Sequence, residues 1–426
     1  MNKMITVKEF DCINEERIKN SISNYNNEFQ ELITFVEEFV GSPDNADAYQ
    51  LMTIKKNREK GQYVQIKNYV GLIQLKSGFQ IEILPKIYMA EDDDNKKIFL
   101  KMLKSMKDFD GKSFNISNLK VENMNLYEIF INLYLQETDR LVKHGLKSSY
   151  ITNEENLNVV KGKLLFKEQV KKNNVHKEKF YVQYDEYQLN RSENKLVKST
   201  LTKLLNVTEI PSNKKLCRQL LSHFENVDLS TNYEYDFSKI KIDRNTKDYE
   251  MLMKWSKVFL NNKSFSTFSG DSQSRAILFQ MDKLFESYIG KIFKDLYSDK
   301  DVLVSTQDRG FYLFDKPEPE FALRPDIIVE RNNKVIILDT KWKDLVNEPN
   351  KNYGISQSDM YQMYAYSKKY GKGLYNPEVY LIYPLNMEFK KDTSIDYKDN
   401  DGVKVHVRFV DLIDAEESIR NWNIMQ

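Results

Sequence analysis

Residues 324–341 read Arg324-Pro325-Asp326-Ile327-Ile328-Val329-Glu330-Arg331-Asn332-Asn333-Lys334-Val335-Ile336-Ile337-Leu338-Asp339-Thr340-Lys341. Two apolar runs flank Asn332-Asn333, and asparagine tolerates the positive φ that a two-residue hairpin turn needs. If those two residues form the turn, Arg331 faces Lys334 and, in the same register, Asp326 faces Asp339. Directly opposed side chains share one face of a sheet, and Lys341, two residues beyond Asp339, joins them. Two carboxylates and an amine are thereby expected on one surface at the end of an apolar hairpin. Opposed carboxylates repel unless something positive lies between them. A hard divalent cation, Mg²⁺ or Mn²⁺, meets that need with oxygen ligands, polarises a scissile phosphate and lowers the pKa of an attacking water. Asp326 and Asp339 are the expected metal ligands, and Lys341 the group that orients the water or neutralises developing charge. Thr340 is expected to point to the opposite face, leaving its backbone carbonyl as a further ligand. The alternative is a strand-end charge cluster balanced by Arg324 and Lys341, and a lone Asp-x-Lys would support no more than that.

Two flanking features extend the candidate site. Glu286 sits beside the apolar Phe285, Tyr288 and Ile289 at the margin of the buried face of a helix expected over Ala276 to Tyr297. It is read either as a further metal ligand or as a solvent-facing helical glutamate. Gln362 and Tyr366 are four residues apart on a helix expected over Ser358 to Tyr370, so they share a face. An amide and a phenol there suit the positioning of a nucleotide phosphate or a metal-bound water, or an ordinary helix interface.

Outward from this core the chain reads as α+β and multidomain. Short β-branched and aromatic runs at Tyr49–Ile54, Gln62–Ile66, Tyr69–Leu75 and Phe79–Leu84 follow a helix over Asn27–Val40 and predict a small β-rich domain, residues 1–110. Residues 111–265 read as a mainly helical middle domain. Its expected helices lie over Leu126–Lys143, Glu193–Leu205, Lys214–Glu225 and Lys247–Leu260, with strands at Lys163–Phe166 and Phe180–Tyr184. An Asn-, Ser- and Gly-rich stretch from Asn261 to Asp271 marks the expected boundary to a third domain, residues 266–426. There the pattern predicts a mixed sheet flanked by helices.

At 426 residues the chain exceeds a single core, and 30% charged with 41% hydrophobic residues fits a globular protein. No run of about 18 apolar residues predicts a membrane span, and the N-terminus lacks the pattern of a secretory signal. Cys12 and Cys217 form no disulfide framework, so a reducing cytoplasm is expected. The four histidines, His144, His176, His223 and His406, pair with neither cysteine at zinc-ligand spacing. A net charge of +1 does not advertise nucleic-acid binding. The local run Lys161, Lys163, Lys167, Lys171, Lys172, Lys177 and Lys179 could track phosphates or be a solvated face.

Pro325-Asp326 followed by Asp339-Thr340-Lys341, with Glu286 ahead and Gln362 to Tyr366 behind, resembles the PD-(D/E)xK nuclease superfamily, and the Gln-x-x-x-Tyr element its RecB-like branch. Val70-Gly71-Leu72-Ile73 with Ile81-Glu82-Ile83-Leu84-Pro85-Lys86-Ile87 is similar to the N-terminal region of the McrC family, nuclease subunits of McrBC modification-dependent restriction systems. Lys161-Gly162-Lys163-Leu164 and the stretch from Tyr184 through Asn194-Lys195 resemble that family's middle region. The resemblance implies a DNA endonuclease acting on modified DNA with a McrB-like hexameric AAA+ GTPase, which recognises the modification and is stimulated by the N-terminal part of its nuclease subunit. The absence of a Gly-x-x-x-x-Gly-Lys-Ser/Thr loop agrees with nucleotide use by a partner. The charged stretch Lys55-Lys56-Asn57-Arg58-Glu59-Lys60 is the expected partner-contacting tip, or a plain solvated hairpin. The rival expectations are a stand-alone RecB-like nuclease and a non-enzymatic activator of an AAA+ NTPase.

Overall fold

The computed structural model describes residues 4–41, 52–58, 61–88, 90–106, 124–261, 275–297, 301–308, 310–331, 334–371 and 377–424. The expected turn at Asn332-Asn333, the start of the first expected strand, Glu59-Lys60 and most of the expected boundary at 261–271 lie outside these residues. The chain forms two compact units: residues 1–110, 116–123 and 270–426 in the first, residues 111–115 and 124–269 in the second.

The first unit begins with β1 (Met4–Lys8), β2 (Cys12–Asn14), α1 (Glu15–Lys19), α2 (Glu28–Gly41), β3 (Met52–Asn57), β4 (Gly61–Ile66), β5 (Tyr69–Gln74), β6 (Gln80–Leu84) and α3 (Asp92–Ser105). Strands β2, β4 and β3 make a three-stranded antiparallel sheet. Lys55, Lys56, Asn57 and Arg58 stand exposed at the hairpin end of that sheet.

The second unit holds α4 (Leu126–His144), β7 (Ser149–Leu157), β8 (Lys163–Leu164), α5 (Phe166–Lys172), β9 (Phe180–Gln188), α6 (Ser192–Val207), α7 (Pro211–Ser222), α8 (Tyr233–Lys239) and α9 (Glu250–Asn261). Helix α4 starts where Asn125 caps it, its side chain accepting the Glu128 N–H at 2.9 Å. The helix buries Ile129, Phe130, Leu133 and Tyr134, with Phe130 against Trp255 and Tyr134 against Phe259 of α9, where Trp255 and Phe259 stack at 5.6 Å. Each such side chain contributes about 1.5–3 kcal/mol. Around the basic run, Lys161 pairs with Glu186 at 3.3 Å and lies over Tyr184, and Lys172 lies over Tyr181. Part of its charge is thus engaged by β9. The strand expected over Lys163–Phe166 ends at Leu164, and Phe166 instead begins α5.

The first unit resumes with β10 (Arg275–Gln280), α10 (Met281–Tyr297), β11 (Val302–Thr306), β12 (Tyr312–Phe314), β13 (Glu320–Ala322), β14 (Ile327–Arg331), β15 (Lys334–Thr340), α11 (Gln357–Tyr370), β16 (Glu378–Pro384), β17 (Ser394–Lys398), β18 (Lys404–Val410) and α12 (Ala415–Arg420). The single helix expected from Ala276 to Tyr297 is therefore a strand followed by a helix. Ala276, Ile277, Leu278 and Phe279 are all buried, and four consecutive apolar residues suit a strand covered on both faces. Strand β10 completes a sheet in the order β1-β6-β5-β10, with Leu278 facing Gly71. Gly71 has a φ of +136°, and a Cβ there would lie 2.0 Å from the Ile277 carbonyl oxygen, so only glycine admits the pairing. This pairing also corrects the expected division into 1–110, 111–265 and 266–426. The first and third segments share one sheet and one compact unit.

A six-stranded mixed sheet runs β11-β14-β15-β16-β18-β17. Strands β15, β16 and β18 are parallel, while β14 pairs antiparallel with β15 and β11 with β14. Helix α10 packs on β11 and β15 and α11 on β15 and β16. Ile328, Ile337, Val379, Leu381 and Val407 share a core with Met363, Tyr366 and Tyr370 of α11. Among the described residues no helix is long and apolar enough to cross a membrane.

Candidate active site

Arg331 pairs with Lys334 and Ile327 with Leu338, the register expected of a turn at Asn332-Asn333. The ladder ends there, one position short of Asp326 and Asp339. Asp326 lies just ahead of β14, where its carbonyl accepts the Gln307 N–H at 2.9 Å. Freed from the ladder, its carboxylate turns onto Thr340: Oδ2 accepts both the backbone N–H and the hydroxyl, each at 2.7 Å. The Thr340 hydroxyl is thus aimed at Asp326, contrary to the expectation that this side chain points away from the site. These two hydrogen bonds fix the Asp326 rotamer.

Asp339, 1% exposed, ends the apolar run of β15, and its Oδ2 lies 2.6 Å from Lys341 Nζ. Charge holds this contact; the buried Oδ2 has no aligned hydrogen bond. Lys341 Nζ donates to Gln362 Oε1 at 3.2 Å, and Gln362 Nε2 donates to the Tyr366 hydroxyl at 2.7 Å. The helical spacing therefore places Gln362 on the lysine. Tyr366, only 1% exposed, stands behind Gln362. Glu286, half-buried on α10, accepts from Gln307 Nε2 at 3.0 Å.

The electrostatics follow from burial of like charges. Burial and the neighbouring Asp326 push Asp339 up to about 7, against the pull of Lys341. Burial also raises Asp326, although the Thr340 hydrogen bonds and Lys341 oppose it. Glu286 is raised by burial and by Asp326. Burial disfavours the Lys341 ammonium, but Asp339, Asp326 and Asp359 together hold it above the ordinary lysine value. Carboxylates that resist ionisation beside one ammonium form a site that gains from a further cation. Among the described residues, no three His, Cys, Asp or Glu side chains converge tightly enough to enclose one. Asp326 and Asp339 are the carboxylates whose charges act on one another and on Lys341.

Two carboxylates were not singled out from sequence. Asp282 lies one turn before Glu286 on α10, hydrogen-bonded to Asn68, and feels both Lys341 and Asp326. Its spacing from Glu286 was the available signal. Asp359, in the first turn of α11, faces Asp339 and Lys341, and nothing local in the sequence marks it.

The family model described as McrBC 5-methylcytosine restriction system component matches residues 64–384. The chain belongs to this family. The match begins within β4 and spans β5, β6, the second unit and every residue of the carboxylate–lysine cluster up to Tyr366, and the McrC resemblance read from the sequence is borne out. A solved structure described as a half-complex from the tetradecameric assembly of Thermococcus gammatolerans McrB AAA+ hexamers with bound McrC contains a similar chain. The likeness has a TM-score of 0.66 at 20% identity and covers 98% of this chain and 100% of that one. At that identity it speaks for the fold. A second structure, the McrBC complex of the same organism, has a TM-score of 0.47 at 20% identity and covers 70% of this chain and 89% of that one. None of the curated proteins compared matches the chain.

Proposed function

We propose that this McrBC-family chain is the Mg²⁺-dependent DNA endonuclease subunit of its restriction system, and that the six-stranded sheet with α10 and α11 is a PD-(D/E)xK nuclease fold. The observation that carries the reading is the Asp326–Asp339 pair at one strand end, Asp339 buried and Asp326 half-buried, with Lys341 Nζ 2.6 Å from Asp339. The donor set fits the cation. Asp339 Oδ2 is buried with the Lys341 ammonium against it, and two carboxylates with the Thr340 carbonyl leave room for the waters that Mg²⁺ retains. Mn²⁺ has the same ligand preference. Glu286 supplies a further carboxylate toward the metal or its water. When bound, the cation polarises the scissile phosphate and acidifies a water.

The chain's own residues do the rest. The Thr340 hydrogen bonds hold Asp326 in one rotamer. Lys341 stays protonated among three carboxylates and offers its charge to the phosphorane-like oxygen. Gln362 steers that ammonium, and Tyr366 fixes Gln362 from the core. Cleavage of modified DNA is proposed to require a McrB-like hexameric AAA+ GTPase, with Lys56 and Arg58 at the β3–β4 tip contacting it. The test is cleavage of cytosine-methylated DNA by the full chain with that partner, GTP and Mg²⁺. Asp339→Asn is expected to abolish cleavage while leaving partner GTP hydrolysis stimulated. Undiminished Mg²⁺-dependent cleavage by the variant would remove the assignment. Cleavage by the chain with neither partner nor GTP would instead favour a stand-alone nuclease.

A further inference from the structure

Glu9 is a buried carboxyl that the reaction proposed above does not use. It follows β1, and its backbone N–H extends the β1–β6 ladder to the Leu84 carbonyl at 3.0 Å. The residue is 1% exposed. Both carboxylate oxygens accept from the Trp342 indole Nε1, at 3.0 and 2.9 Å, and Oε1 also accepts the Lys86 N–H at 2.9 Å. Trp342 is the residue after Lys341. Its ring meets Phe285 of α10 edge-on at 5.3 Å, and its backbone N–H is bonded to Asp282. A side chain from the start of the chain therefore fixes the residue with which β15 leaves the candidate active site.

Glu9 also stands where the chain changes sheets. Strand β1 belongs to the four-stranded sheet, and β2, beginning at Cys12, to the three-stranded sheet that carries Lys55, Lys56 and Arg58. Phe10 takes a φ of 65° at this crossing. An apolar residue would fill the space beside Trp342 without the cost of burying a carboxyl. What the carboxyl adds is direction: hydrogen bonds set the rotation of the indole, which dispersion contacts leave loose. The backbone that carries Trp342 carries Lys341, whose ammonium must sit within hydrogen-bond reach of its partners to act.

We propose that Glu9 is a positioning residue for Lys341, acting through Trp342 and tying the N-terminal sheets to the carboxyl end of β15. This rests on the nuclease reading, and the test separates the two. Single-turnover cleavage is measured with the full chain, its AAA+ partner, GTP, Mg²⁺ and methylated DNA. The variants are Glu9→Gln, Trp342→Phe and the double substitution, with Glu9→Asp as the conservative change. Glu9→Gln and Trp342→Phe are each expected to slow the rate constant about tenfold, as lost supporting hydrogen bonds do. Reaction amplitude, DNA affinity and stimulated GTP hydrolysis stay at wild-type levels. The double variant is no slower than the slower single one, and Glu9→Asp is intermediate. A merely structural role would lower the amplitude and leave the rate constant of the folded fraction unchanged, and that result overturns the proposal. So do wild-type rate constants in both single variants, or losses that multiply in the double. Failure of the wild-type chain to cleave at all would instead strike the nuclease reading.

Discussion

Asp339→Asn should flatten the pH dependence of stability around β15 in the metal-free chain. In the folded chain burial and Asp326 push the Asp339 carboxyl from its ordinary 3.8 to about 7. Between those values the folded chain holds a proton that the unfolded chain has released. The stability linked to this group is therefore complete below about pH 4 and is lost as the pH rises through 7. One pH unit within that window corresponds to about 1.4 kcal/mol, so the step from pH 5 to 7 removes roughly 3 kcal/mol at most. Asparagine cannot ionise, and the variant should lack this loss, retaining only the shallower slopes of Asp326 and Glu286. Hydrogen exchange of peptides spanning β14 and β15, in a chelator at pH 5 and pH 8 and corrected for intrinsic rates, reads the local free energy directly. Mg²⁺ at pH 8 should then protect the wild-type peptides, by about 1.4 kcal/mol for each tenfold excess over its Kd, and leave the variant unprotected. Parallel pH dependences in the two proteins, or equal protection by Mg²⁺, would refute the argument that two repelling carboxylates are held together for a cation.

Lys341→Met should slow cleavage by about 10²–10³, the usual loss of one preorganised charge, with DNA binding to the partner complex unchanged in a gel-shift assay. Tyr366→Phe removes the hydroxyl that fixes Gln362, and the cleavage rate constant should fall about fivefold to tenfold, corresponding to roughly 1 kcal/mol, without a change in DNA affinity. Lys56→Ala with Arg58→Ala should lower partner GTP hydrolysis while local hydrogen exchange at the active site stays as in the wild type; unchanged hydrolysis would relieve the β3–β4 tip of that role. Gly71→Ala should destabilise the first unit by about 2 kcal/mol or more in chemical denaturation, because the added methyl meets the Ile277 carbonyl at a strained φ.

The sequence by itself determined what is local in this site. The apolar runs on either side of Asn332-Asn333 pair in the register that a two-residue turn predicts, and that register brought Asp326 and Asp339 to the same strand end with Lys341 beside them. Helical spacing likewise brought Gln362 and Tyr366 onto one face, because side chains four apart on a helix point the same way whatever packs against them. Tertiary structure alone decided the rest. Ala276–Phe279 carries four adjacent apolar residues with no period to choose between helix and strand, and the distant Gly71 makes room for a strand. The end of the ladder at Ile327–Leu338 let Asp326 swing onto Thr340, a short-range choice that pairing rules do not fix. Glu9 and Trp342 are hundreds of residues apart, and the chain meets itself there only because β1 and β15 belong to one compact unit. Periodicity and turn chemistry act over a few residues; what reaches across a core is set by which surfaces bury each other.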